Sequence, residues 1–143
     1  GYSKIAKGKT DSVSVIAAVD LMPSFARLAG IDSTLQTTDG EDRSKGLMGK
    51  PLPRKHELYW EYGRNDISFN YPGAKNNRSP QLAIRDGKWK LLMNIDGSGL
   101  ELYDLSKHKN EDINLAASQP EITASLKQKL RRWWDQLPAY EKH

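Results

Sequence analysis

The spacing of hydrophobic residues changes several times along this chain, and each change marks an element. Val13-Ser14-Val15-Ile16-Ala17-Ala18 is a short apolar, β-branched run with the character of a strand. It feeds into Val19–Gly30, where Leu21, Met22, Phe25, Leu28 and Ala29 recur at the three-and-four spacing of one buried helix face. Asp20 is placed to cap the first turn, Pro23 is early enough to lose no intrahelical bond, Gly30 suits a left-handed stop, and Arg27 falls on the outward side. From Asp32 to Lys55 glycines and prolines interrupt every period, so the reading there is an extended surface connection with one helical turn near Leu47 and Met48.

Glu57–Tyr62 alternates apolar and charged residues with aromatic enrichment, the pattern of a half-buried strand. Residues 63–80 are too rich in turn formers for a regular element and read as a loop. Leu82–Arg85 and Lys88–Met93 flank Asp86-Gly87, the signature of a two-residue hairpin whose turn positions both take positive φ. A second reversal at Asp96–Gly99 leads into Leu100–Leu105, so three strands form a meander and Glu57–Tyr62 adds a fourth. Ser118-Gln119-Pro120-Glu121 reads as a capping box. Beyond it Ile122, Leu126, Leu130, Trp133 and Leu137 form one apolar stripe, with Lys127, Lys129, Arg131 and Arg132 around the other side, to an end near Pro138. The fold class is α+β: a small four-stranded antiparallel sheet covered by a long C-terminal amphipathic helix.

Composition narrows the chemistry. Among 143 residues there is no cysteine, which removes disulfides, thiolate zinc sites and cysteine nucleophiles. Lys and Arg number 22 against 18 Asp and Glu, and the net charge of +4 is spread along the chain, so no nucleic-acid partner is expected. No apolar stretch is long enough to span a membrane, and no membrane partner is expected. The start, Gly1-Tyr2-Ser3-Lys4, lacks Met and suits an excised piece, a processed product or a tag remnant. His56, His108 and His143 show no metal-ligand spacing, the scattered carboxylates show no calcium-loop spacing, and no phosphate-cradling glycine loop appears. No catalytic or metal-ligating residue is expected. Trp89 and Trp133 lie on apolar faces and read as core. Trp60 and Tyr62 instead share a strand face that runs into a loop bearing Arg64, Asn65, Asn76, Asn77 and Arg78, whose donors suit an anionic or sugar ligand.

The order of several short strings goes further. Lys4-Ile5-Ala6-Lys7-Gly8, Val19-Asp20-Leu21-Met22-Pro23-Ser24 with Leu28-Ala29-Gly30-Ile31, and Asp39-Gly40 come first. Leu58-Tyr59-Trp60-Glu61, Ala83–Leu91, Leu102-Tyr103-Asp104-Leu105, and Glu111 with Asn114-Leu115-Ala116 and Pro120-Glu121 follow. In this order they resemble the C-terminal part of the formylglycine-dependent sulfatases, in the alkaline-phosphatase-like superfamily. The family's Asp-Pro turn after the fourth strand is replaced here by Ser106-Lys107-His108-Lys109.

The resemblance implies a parent that hydrolyses sulfate esters with a formylglycine nucleophile and a bound calcium ion. The nucleophile motif, metal ligands and catalytic Lys and His of the family lie upstream of the matched segment, so this chain alone is expected to be inactive. It also implies a division into 1–55, the end of the α/β catalytic domain with a connecting segment, and 56–143, the sheet-and-helix subdomain. The strand-helix segment at the start would belong to the missing α/β domain, which becomes the expected partner; without it the Asp20–Gly30 helix would be exposed and prone to self-association. His56, Trp60, Arg64 and Arg78 are the candidates for a wall of the cleft that takes a sulfated small molecule or glycan. A periplasmic or secreted parent is implied. The alternatives are a non-catalytic carbohydrate- or anion-binding module, or the tail of a related phosphatase or phosphonate hydrolase.

Overall fold

The computed structural model describes residues 8, 10–31, 39–62 and 79–138, and the chain divides into two compact units, Gly1–His56 and Glu57–His143. In the first unit the apolar run at Val13–Ala18 is not a strand: residues 14–17 carry no ladder, and Ala18–Asp20 already winds into a 3₁₀ turn. A strand is stable only beside a partner, and the described residues of this unit supply none. Helix α1, Leu21–Leu28, follows, and Gly30 ends it at φ +76°.

Asp20 does not cap α1. Its carboxylate turns away, accepting the Ala17 N–H at 2.8 Å, the Glu41 N–H at 2.9 Å and the Arg54 guanidinium at 2.5 Å. The buried residues of α1 are Pro23 and Ser24, whereas Met22 and Phe25 on the apolar stripe are 59% and 57% exposed. That corrects the buried face read from the periodicity and matches the exposure expected of this helix without its neighbour. The short helix α2, Ser44–Leu47, is tied back to α1 by the Arg43 N–H, which donates to Ser24 Oγ at 2.8 Å. At Gly40 a Cβ would lie 2.1 Å from the Val19 carbonyl oxygen, so the close approach of these backbones requires glycine.

In the second unit the alternating segments form one antiparallel sheet in chain order, β1 (Leu58–Glu61), β2 (Leu82–Asp86), β3 (Trp89–Met93) and β4 (Glu101–Asp104). The hairpin turn lies one residue later than the Asp-Gly pair predicts. Asp86 pairs with Trp89, so Gly87 and Lys88 make the turn, and of these only Gly87, at φ +56°, is left-handed. Glycine alone at the first turn position is the requirement of a II′ turn rather than I′. The shift changes the pairing by two positions, which leaves every side chain on its expected face.

One face of the sheet buries Leu82, Ile84, Leu91, Met93 and Leu102 against Leu126 and Leu130 of helix α3, Pro120–Asp135. Tyr59 stacks on Trp133 with ring centroids 5.0 Å apart, and Trp89 packs against the same core. The expected capping box is absent: Gln119 is the N-cap and Pro120 opens the helix, while the Ser118 hydroxyl donates to the Leu115 carbonyl at 3.2 Å. Proline at the first helical position pre-sets φ and brings no orphan N–H, so the start moves to it. The cations expected on the far side of α3 reach back to the sheet rim. Lys129 pairs with Glu57 at 2.5 Å and Asp86 at 2.8 Å, and these bonds raise its pKa.

Where the resemblance leads to an Asp-Pro turn, Asp104 closes the turn itself by accepting the Ser106 N–H at 3.0 Å, and the Lys88 ammonium sits 3.0 Å away. The Ser106 hydroxyl and then Lys88, against an opposing effect of burial, bring the Asp104 carboxyl down to about 2. A carboxylate depressed in the folded state contributes stability that is full above its unfolded pKa of about 3.9 and is lost as pH falls through the folded value. NMR titration of the Asp104 carboxyl carbon should therefore show a midpoint near 2. An ordinary aspartate midpoint would remove this part of the acid sensitivity from the turn.

Candidate functional site

The face of the sheet away from α3 is where the sequence places its chemistry. Because side chains alternate across a strand, Trp60 on β1 stands opposite Ala83 on β2, and Arg85 opposite Lys90 on β3, all on this face. With Tyr62, Leu92, Leu105 and Glu111 they bound a cleft of about 430 Å³. Trp60 and Tyr62 are each 42% exposed and form its aromatic flank.

The charges in the cleft are unequally satisfied. Lys90 Nζ donates to both carboxylate oxygens of Glu111, at 2.7 and 2.8 Å. Glu111 holds φ +57°, the left-handed region that a residue with a side chain seldom occupies. Arg85 donates its Nε–H to the Gly87 carbonyl at 3.3 Å and makes no ion pair among the described residues. Burial lowers the Arg85 pKa, with the nearby Glu111 charge acting in the opposite direction. On the same face the Tyr103 hydroxyl donates to Glu101 at 2.8 Å, and burial, then that bond and charge, push its pKa up to about 12. Tyr103 is thus a fixed donor rather than a base. The arrangement combines aromatic surface with a guanidinium that makes no ion pair among the described residues.

A second cleft, of about 390 Å³, lies within the first unit and is lined by Glu41, Arg43, Lys55 and His56. His56 contributes its backbone there, donating its N–H to Glu41 at 2.7 Å and accepting from Arg54 Nε at 3.0 Å. Burial works against ionisation of Glu41, but the His56 and Lys55 N–H groups and the Arg54 charge outweigh it and hold the pKa low. Arg43, almost wholly buried, donates to Glu41 at 3.1 Å and to the Pro53 and Leu52 carbonyls.

Of the four residues named from sequence, His56 and Trp60 therefore sit in different units and line different clefts, while Arg64 and Arg78 lie outside the described residues. Sequence reasoning missed Arg85, Lys90 and Glu111. The hairpin register contained the signal for the first two, since it places them side by side on the face of Trp60. Among the described residues no group of three or more His, Cys, Asp and Glu is arranged to hold a metal ion. No helix of the described residues is long and apolar enough to cross a membrane.

Comparison with known proteins gives one consistent result. No family model matches the chain. It is 31% identical over 131 residues to arylsulfatase K of Bos taurus, across 82% of this chain and 22% of that protein. The fold matches a putative sulfatase from Bacteroides fragilis with a TM-score of 0.63 at 19% identity, covering 92% of this chain and 27% of that one. It matches a 2-O GAG sulfatase with a TM-score of 0.59 at 22% identity, covering 86% and 27%. The chain spans about a fifth of the length of the curated relatives it matches.

Proposed function

We infer that this chain, a sulfatase C-terminal part by sequence and by fold, serves as the C-terminal subdomain of an enzyme that hydrolyses sulfate esters. The observation that carries the reading is the alignment to an arylsulfatase at 31% identity through 82% of the chain. The nucleophile, a formylglycine, and the calcium ion would belong to the α/β catalytic domain, the principal partner of this chain. In that reading the chain alone does not turn over substrate, and the parent works in the periplasm or outside the cell.

The roles left to this chain are docking and walling. The exposed stripe of α1, with Leu21, Met22, Phe25 and Leu28, is apolar surface of the kind that seats on another domain. In its absence the chain is expected to self-associate, its mass by light scattering rising with concentration, and Phe25→Glu is expected to restore the monomer. A wild-type chain that stays monomeric at high concentration would count against this use of α1. Trp60, on the open face of the sheet, would face a sulfated small molecule or glycan, a class supported by the fold shared with a 2-O GAG sulfatase.

The test is to express the whole open reading frame that contains this sequence and to assay it on 4-methylumbelliferyl sulfate and the matching phosphate, beside the chain alone. Sulfate release by the longer product and none by this chain is the expected result. Phosphate hydrolysis without sulfate hydrolysis would move the parent to the related phosphatases. The lack of an upstream Cys/Ser-x-Pro/Ala-x-Arg motif would end the enzyme reading.

A further inference from the structure

We propose that the cleft on the open face of the sheet is a binding site for a sulfated saccharide, with Trp60 stacked on the sugar ring and Arg85 holding the sulfate. The proposal deepens the sulfatase reading and rests on it for the choice of sulfate as the anion.

Charge is the first argument. Among the described residues the charged side chains lining the cleft are Arg85, Lys90 and Glu111, and Lys90 and Glu111 neutralise each other through two short bonds. Of these three groups, the charge that remains is the positive one on Arg85. Its guanidinium uses one N–H on the Gly87 carbonyl and meets no carboxylate among the described residues as an ion pair. Burial already disfavours that charge, as its lowered pKa reflects. A half-buried, under-partnered guanidinium is stabilised by an anion with several acceptor oxygens, and its planar fork matches two oxygens of a sulfate.

Shape is the second. The cleft, about 430 Å³, is of the size that holds a small ligand, and it has an apolar floor at Ala83, Leu92 and Leu105. Trp60 and Tyr62 are half exposed beside it, so an aromatic face is open to the C–H face of a sugar ring. Beside Tyr62, whose N–H donates to the Gln81 carbonyl at 2.7 Å, stand Ser79 and Gln81, and the Gln81 side-chain oxygen already accepts the Ile95 N–H at 3.2 Å, which leaves its amide N–H groups as donors. Inorganic sulfate would use Arg85 alone. A sulfated sugar uses the guanidinium, the aromatic flank and the polar rim together.

The experiment titrates the chain with a set of glucose monosulfates, with glucose and with inorganic sulfate, and follows the indole N–H of Trp60 by NMR and affinity by calorimetry. Trp60→Phe assigns the indole signal. At least one glucose monosulfate is expected to shift it and to bind about 10-fold or more tightly than either glucose or sulfate. Arg85→Met is expected to weaken that binding by about 10-fold or more, the usual worth of a hydrogen-bonded charge. Arg85→Lys, which keeps the charge and guards against a folding artefact, should fall between. Arg132→Met, on the exposed side of α3, should leave binding unchanged. No shift of Trp60 with any monosulfate, equal affinity for inorganic sulfate, or an equal loss with Arg132→Met would each overturn the site. Monosulfate binding by a chain whose parent releases no sulfate would overturn the enzyme reading and leave the site standing. Sulfate release by the parent with no effect of Arg85→Met on binding would do the reverse.

Discussion

Asp20→Ala is expected to destabilise the first unit by about 3–5 kcal/mol, the cost of breaking one side of a buried ion pair. Asp20 is wholly buried and the Arg54 side chain is 6% exposed. Truncation would strand the Arg54 guanidinium in the interior and leave the Ala17 and Glu41 N–H groups without their acceptor. There is little slack nearby to absorb this, because Arg54 Nη2 and Arg43 Nε are already buried without a hydrogen-bond partner. Arg54→Met should cost a similar amount, and the double variant less than the sum, since a charge is no longer left alone. Hydrogen exchange on peptides from residues 11–30 and 41–56 is the suitable readout, as it reports this unit separately from the sheet. A loss below about 1 kcal/mol would mean that water reaches the pair and that it is not the organising contact of the unit.

The same cluster makes the first unit acid-sensitive. Burial raises the Asp20 pKa, but the Arg54 hydrogen bond and the Ala17 and Glu41 N–H groups outweigh it, so the carboxyl ends below its ordinary value. With the folded pKa depressed, its contribution is present above the unfolded pKa and disappears as pH falls through the folded one.

Leu91→Ala is expected to cost the second unit about 2–5 kcal/mol, because the lost transfer energy is joined by the cavity left behind. Leu91 is 0% exposed on β3, paired with Ile84 on one side and Leu102 on the other, and roofed by α3. A site walled on all sides cannot collapse far. Urea unfolding followed by tryptophan fluorescence will measure it, since Trp60, Trp89, Trp133 and Trp134 all lie in this unit. A shift under about 1 kcal/mol would show that α3 closes over the gap, and the sheet–helix core would then be looser than its burial indicates.

How legible each part was depends on the distance over which its cause acts. Gly87 forces a reversal within a few residues, so the hairpin was readable although the turn slid by one position. The start of α3 went wrong because two local signals competed, and Pro120 at the first helical position prevailed over Ser118 as a cap. The strand expected at Val13–Ala18 failed for a non-local reason, since β-branched composition describes what a strand needs and not whether a partner is beside it. In the candidate site Trp60 was visible as an aromatic on an alternating strand. Arg85 and Lys90 were legible only through the hairpin register that sets them side by side, and Glu111 not at all, because nothing in its immediate neighbourhood separates a site residue from a solvated charge.

By itself, then, the sequence determined the four strands, their antiparallel order, the covering helix and the likeness to sulfatases, all of which follow from spacing, turn chemistry and the order of short strings. Only the tertiary structure decided which polar groups meet. Asp20 finds Arg54 across 34 positions and Lys90 finds Glu111 across 21, while Arg85, five residues before Lys90, is left without an ion pair among the described residues. The periodicity of a chain states which face each side chain takes. It carries no term for what stands opposite, and a charge is satisfied, buried or left open by the group that packing brings across from it.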